Sequence, residues 1–138
     1  MRQTHAILTF ETPAKGTLEI TPDIASWLRA TGIENGLLTL FCQHTSASLL
    51  INENAAPAVR RDIENWLDHA APEGPYYEHD DEGPDDMPAH IRTMLTGESK
   101  SIPVSGGRMM LGQWQGVFLF EHRNEPHRRH VVAQIIGD

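Results

Sequence analysis

Hydrophobic and polar positions alternate loosely along residues 3–11, "QTHAILTFE", and a period of two predicts a strand. "GTLEI", after the "PAKG" turn, reads as its partner strand. In "TPDIASWLRATG" the spacing becomes helical, with Thr21 as a possible N-cap, Pro22 in the first turn and Gly32 just past the end. Ile24, Trp27 and Leu28 then share the buried face. "GLLTLFCQH", from Gly36, returns to a period of two, with Leu38, Leu40, Cys42 and His44 on one side. "SLLI" runs extended into "NEN", where Asn52 or Asn54 can cap a helix over residues 55–70. That helix carries Val59, Ile63, Trp66, Leu67 and Ala70 along one stripe and pairs Arg60 with Glu64 outside it.

Prolines and glycines then break the chain through "YYEHDDEGPDDMPAH", Tyr76 to His90. Asp85 or Asp86 is placed to cap a short helix that turns Met87, His90, Ile91 and Met94 to one side and stops near Gly97. "SKSIPV", "SGG" and "RMML" predict a hairpin, "QWQGVFLFEH" a long strand and "HVVAQIIG" a closing one. Strands outnumber helices, which predicts an α+β fold: one compact, strand-rich domain over residues 1–138, with mixed or antiparallel sheets and two or three helices. The late strands are apolar on both faces, Trp114, Phe118 and Phe120 against Val117 and Leu119. Such a sheet needs cover on both sides, from a second sheet or another subunit.

Composition narrows the function classes. A net charge of −8 without a basic stripe argues against nucleic-acid binding. No apolar run approaches the length of a membrane span, and the start of the chain lacks the charged and apolar regions of a secretory signal, so a soluble cytoplasmic protein is expected. Cys42 is the only cysteine, which excludes an intrachain disulfide and a zinc ribbon. A metal would have to be held by histidine and carboxylate. Charge is also segregated: no Lys or Arg occurs from Asp62 to Ile91, whereas "EHRNEPHRRH" holds three arginines and three histidines. The basic segment can fold against the acidic one, or both can be solvated surface.

Eight histidines in 138 residues is a high count. His44 ends an apolar strand, His79 lies in a broken acidic loop and His90 lies on a short helix. Three imidazoles from three elements would suit a divalent cation, zinc or magnesium, with a position left for substrate. Histidines satisfied in the surface or core explain the same residues, because no His-Glu-x-x-His pattern fixes two ligands on one helix. Glu53 is a candidate general acid or base, or an exposed carboxylate at a helix start. Ser46 and Ser48 with Arg123 and Arg128 could bind phosphate, or form a strand edge and an ion pair. Cys42, on an apolar face, reads as inert packing.

The stretches "HTSASLLINENAAPAVRRDIENWL", "YYEHDDEGPDDMPAHI", "LTGES", "SIPVSGGRMMLGQWQGVFLFEHR" and "PHRR" together resemble the YjbQ family over nearly the whole chain. One departure is visible: Gln113 stands in "GQWQ" where the family reads Gly-Thr-Trp-Gln, while Trp114 and Gln115 are kept. The resemblance implies a homotrimer with a pocket around His44, His79 and His90, and a secondary thiamine-phosphate synthase activity that joins a pyrimidine pyrophosphate to a thiazole phosphate. In that case His44, His79 and His90 hold the cation, Ser46, Ser48, Gln115, Arg123 and Arg128 hold the small phosphorylated substrate, and Glu53 is the acid or base. The alternative is a non-catalytic ligand- or metal-binding oligomer, because no nucleophile elbow or P-loop is present.

Overall fold

The computed structural model describes all 138 residues, Met1 to Asp138. The elements run β1 (Arg2–Thr12), β2 (Gly16–Glu19), α1 (Thr21–Thr31), β3 (Gly36–Cys42), β4 (Ala47–Glu53), α2 (Pro57–Ala70), α3 (Asp86–Thr96), β5 (Ser99–Ser105), β6 (Arg108–Met109), β7 (Gln115–Glu121) and β8 (His127–Gly137). Five strands form one sheet in the order β1-β8-β3-β5-β6, and three form a second in the order β2-β7-β4. Every pairing is antiparallel. The fold is therefore α+β, as the alternation predicts.

The apolar core lies between the inner faces of the two sheets. Leu38 and Leu40 of β3 and Val131, Ala133 and Ile135 of β8 meet Leu49 of β4 and Val117 and Leu119 of β7, with Ile24 and Leu28 of α1 closing one side. Burial of this many branched side chains, each contributing about 1.5–3 kcal/mol, is the main force holding the sheets together. β7 is covered on both faces. Val117 and Leu119 point into the core, while Phe118 and Phe120 lie on the helix side, where the Arg60 guanidinium of α2 sits 4.7 Å from the Phe118 ring centre. At the far end, Gly36 and Gly137 are partners in the β3–β8 ladder. A Cβ on Gly36 would fall 2.1 Å from the Ile136 carbonyl oxygen, so the backbones meet where only glycine fits.

Several local expectations are overturned by long-range partners. β2 does not pair with β1: the chain leaves the first sheet after Thr12 and β2 adds to β7, with Gly16 opposite Glu121. Thr21 does not cap α1; its hydroxyl bonds the Glu19 carboxylate at 2.9 Å and accepts the Val117 N–H at 2.8 Å. Neither Asn52 nor Asn54 caps α2. The Glu53 carboxylate accepts the Ala56 N–H at 2.7 Å instead. Neither Asp85 nor Asp86 caps α3, because both carboxylates face Arg123.

The helix faces also turn. Trp66 of α2 is 62% exposed and Met94 of α3 is 72% exposed, while the inner face of α3 is Asp86, Ala89, Arg92 and Thr93. Polar anchors on sheet β2-β7-β4 rotate that helix away from its apolar stripe.

Candidate functional site

The last residues of β7 organise the site. Glu121 is 1% exposed, and charge this deep requires partners. Its Oε1 accepts from Arg129 Nε at 2.7 Å and from Thr12 Oγ1 at 2.6 Å, and its Oε2 accepts from Arg129 Nη2 and the Arg123 N–H. Burial alone would raise the Glu121 carboxyl; the hydrogen bonds from Arg129, Thr12 and the Arg123 backbone outweigh it and hold it below its ordinary value. Arg129 also donates to Ser46 Oγ at 3.0 Å and approaches His44 Nδ1 at 3.4 Å.

His122 is equally buried. Its Nε2 lies 2.8 Å from Ser48 Oγ, which lies 2.5 Å from Thr96 Oγ1 on α3. Thr96 donates to the Arg92 carbonyl, so it accepts from Ser48, and Ser48 accepts from His122. The ring is thus the neutral Nε2–H form. Burial first, and then the positive charge of Arg92, push its pKa down to about 3.

Arg123 leaves the end of β7 and reaches the loop before α3. It donates from Nε to Asp85 at 3.0 Å and from Nη1 to Asp86 Oδ1 at 2.8 Å. The basic segment does fold back on the acidic one. This bond leaves Asp86 Oδ2 facing two imidazoles: His79 Nε2 lies 2.8 Å away and His90 Nε2 3.1 Å away. His90 Nδ1 lies 2.9 Å from the Thr45 carbonyl oxygen. Burial would raise the Asp86 carboxyl, but the bond from His79 and the charges of His90 and Arg123 hold it low. The bond to Asp86 in turn raises the His79 pKa, with Asp81 and Glu82 adding to the effect.

The donor set His79, Asp86 and His90 fits a divalent cation. Its three ligand atoms all lie within 4.8 Å of one another. Ligand atoms around a tetrahedral zinc stand about 3.3 Å apart, given bonds of about 2.0–2.1 Å. A carbonyl oxygen can only accept, so His90 Nδ1 carries a proton and Nε2 is the nitrogen left to meet Asp86. A cation at that point would take the Nε2 lone pair. The Thr45 carbonyl is the type of outer partner that orients metal-binding histidines.

The sequence-derived residues do not all converge. His44 lies beside His90 on the wall of an open cavity of about 650 Å³ that also includes Phe41, Gln43, Thr93 and Met94. Its Nε2, however, accepts the His130 N–H at 2.8 Å. Burial, then Arg129 and His130, lower its pKa, which favours the uncharged ring. In this arrangement Asp86 stands with His79 and His90 in place of His44.

Ser46 and Ser48 are buried and bonded within the protein. Arg123 is committed to the acidic loop, and Arg128 pairs with Glu11 at 3.3 Å on the exposed side of β8. The four do not assemble as a phosphate cradle. Glu53 pairs with Gln115 at the opposite end of β4, about 20 Å of strand from Ala47 at ~3.3 Å per residue. Gln115 itself accepts the Gly112 N–H at 2.8 Å. Cys42 is 1% exposed and burial raises its thiol to about 11, which makes it inert.

Sequence reasoning missed Glu121, His122 and Arg129 as buried polar struts, and it preferred Asp86 as a helix start over Asp86 as a carboxylate that orients a histidine ring. The one available signal was the run "VFLFEHR", where charged residues continue an apolar strand without a turn residue between them.

Two packed antiparallel sheets with three helices define the class, a compact α+β protein, and a His/Asp cluster at the start of the third helix stands beside an open cavity. A family model described as "UPF0047 protein YjbQ-like" matches residues 6–138, and the chain belongs to this YjbQ/UPF0047 family. It is 46% identical over 138 residues to a UPF0047 protein of Synechocystis, covering 99% of this chain and 94% of that one. It is 42% identical over 132 residues to the YjbQ protein of Escherichia coli, covering 95% and 96%. Among solved structures, an uncharacterised YjbQ/UPF0047 protein of Clostridium acetobutylicum aligns with a TM-score of 0.87 at 33% identity over 95% of this chain and 99% of that one. A YbjQ-like protein of unknown function from Sulfolobus solfataricus aligns at 0.88 with 21% identity, over 99% and 100%, a likeness of fold. No helix is long and apolar enough to cross a membrane.

Proposed function

We propose that this protein is a divalent-metal-assisted enzyme acting on a small phosphorylated substrate, with His79, Asp86 and His90 as the metal ligands and His44 on the wall of the adjoining cavity. One observation carries the reading: two imidazole nitrogens, 2.8 and 3.1 Å from the same Asp86 oxygen, with the His90 ring oriented by Thr45. A bound zinc or magnesium ion would neutralise developing charge on a phosphoryl or pyrophosphoryl oxygen. The protein's own part is to aim the His90 ring through the Thr45 carbonyl and to keep the cavity open beside it, with Gln43 on the wall. The family resemblance supplies the substrate-level reading, thiamine-phosphate synthase activity. With Arg123 and Arg128 engaged elsewhere, the metal is the positive group available for a leaving pyrophosphate.

Association as a homotrimer accompanies this proposal. Support comes from the face of the five-stranded sheet that no helix covers. Ile7, Val132 and Phe41 are cross-strand neighbours there, as are Ile136, Leu37 and Pro103. Ile7 is 57% exposed and Phe41 45% exposed.

Elemental analysis of untagged protein and an assay for thiamine phosphate test the reading together. Stoichiometric metal, with product formation that chelator removes and metal restores, is expected. Only trace metal before and after reconstitution would sink it. The non-catalytic alternative separates at His44→Ala: the enzyme reading predicts lost turnover in an intact oligomer, and the assembly reading predicts dissociation by light scattering.

A further inference from the structure

Arg123 has no free edge for a substrate phosphate, and its surroundings give it another task. Its guanidinium spans three groups of the loop before α3: Asp85 Oδ2 at 3.0 Å, Asp86 Oδ1 at 2.8 Å and the Glu82 carbonyl at 2.8 Å. The Asn124 N–H adds a bond to Asp85 Oδ2 at 2.8 Å. The loop bends at Gly83 with φ +101°, a conformation glycine tolerates. A Cβ there would press within 3.2 Å of Asp85 Oδ1. Loop and guanidinium are therefore fitted to each other.

The consequence lies in how Asp86 divides its two oxygens. Oδ1 is occupied by Arg123 and Oδ2 faces His79 and His90. A carboxylate without that restraint can rotate, offering an ion both oxygens or neither. Held by Arg123, it offers one, at a fixed place. A planar guanidinium makes this three-way bridge, whereas a lysine ammonium is a point charge on a flexible stem.

We propose that Arg123 is a positioning residue that fixes Asp86 as a one-oxygen ligand, and so sets the affinity and the number of open positions of the ion held with His79 and His90. The inference rests on the metal reading above. Its closing experiment separates the two.

Chelator-stripped wild type, R123Q, R123K and R128Q are titrated with Co²⁺ while the visible spectrum reports coordination. Wild type is expected to give a ligand-field band. R123Q should bind about tenfold to hundredfold more weakly, the usual cost of losing an outer partner, with altered band intensity. R123K should restore little of this. R128Q, changed at an exposed pair with Glu11, should match wild type.

Crystals of metal-free R123Q should show Asp86 turned from His79 and His90. Wild-type affinity and spectrum in R123Q, or an unmoved Asp86 in those crystals, would overturn the inference. Absence of any Co²⁺ uptake by wild type would sink the metal reading itself, leaving the R123Q crystals to decide whether Arg123 holds Asp86.

Discussion

His90 of α3 and Thr45 of the β3–β4 connection are joined by a 2.9 Å contact between imidazole Nδ1 and a main-chain carbonyl. The acceptor cannot donate, so the contact fixes which nitrogen carries the proton and turns Nε2 toward Asp86. His90→Ala should therefore abolish stoichiometric zinc binding, read by calorimetry on chelator-stripped protein. The ring is partly exposed, so thermal stability should change little. Zinc affinity equal to wild type would place the site elsewhere.

His122 makes the fold sensitive to acid. Its folded pKa of about 3 lies below its ordinary value of 6.5. Between those values the unfolded chain binds a proton that the folded one excludes. The stability due to this group is fully present above pH ~6.5 and declines as pH falls toward 3, at up to about 1.4 kcal/mol per pH unit. Urea unfolding of wild type and His122→Gln at neutral pH and near pH ~5 measures the difference, and the variant should show the shallower pH dependence. Parallel curves for the two proteins would exclude His122 as the titrating group.

Glu121 and Arg129 form a buried ion pair, 1% and 4% exposed. Glu121→Gln preserves shape and removes the charge, leaving the guanidinium uncompensated. A loss of about 3–5 kcal/mol is expected by denaturant titration. A loss below ~1 kcal/mol, the scale of surface pairs, would show that water reaches Arg129.

Gly36→Ala drives a methyl against the Ile136 carbonyl, 2.1 Å from the ideal Cβ position. The β3–β8 ladder has backbone on the other side and cannot yield cheaply. Destabilisation of at least the ~1–3 kcal/mol typical of overpacking is expected in thermal melts.

The alternation of apolar residues determined where the strands lie, and the spacing in "TPDIASWLRATG" and "PAVRRDIENWLDHA" determined the first two helices, because side-chain period is a local property of the backbone. The α+β class followed from their order. Charge segregation offered the meeting of the basic segment with the acidic loop as one of two readings, and Arg123 makes it. Partners with large separation along the chain were not legible. Thr21, Asn52 and Asp85 carry the side chains of helix caps, and each is drawn instead to a tertiary or neighbouring group.

His44, His79 and His90 were picked out together by residue type, since few side chains bind a cation. That Asp86 stands between His79 and His90 while His44 faces His130 is decided by Arg123 and by His130 of β8, which lie 37 and 44 residues beyond Asp86 in sequence. Sequence determined the elements and the stock of ligands; only the packing of α3 on β4 and the reach of Arg123 from beyond β7 decided which ligands meet, because that depends on where buried charges find their counter-charges.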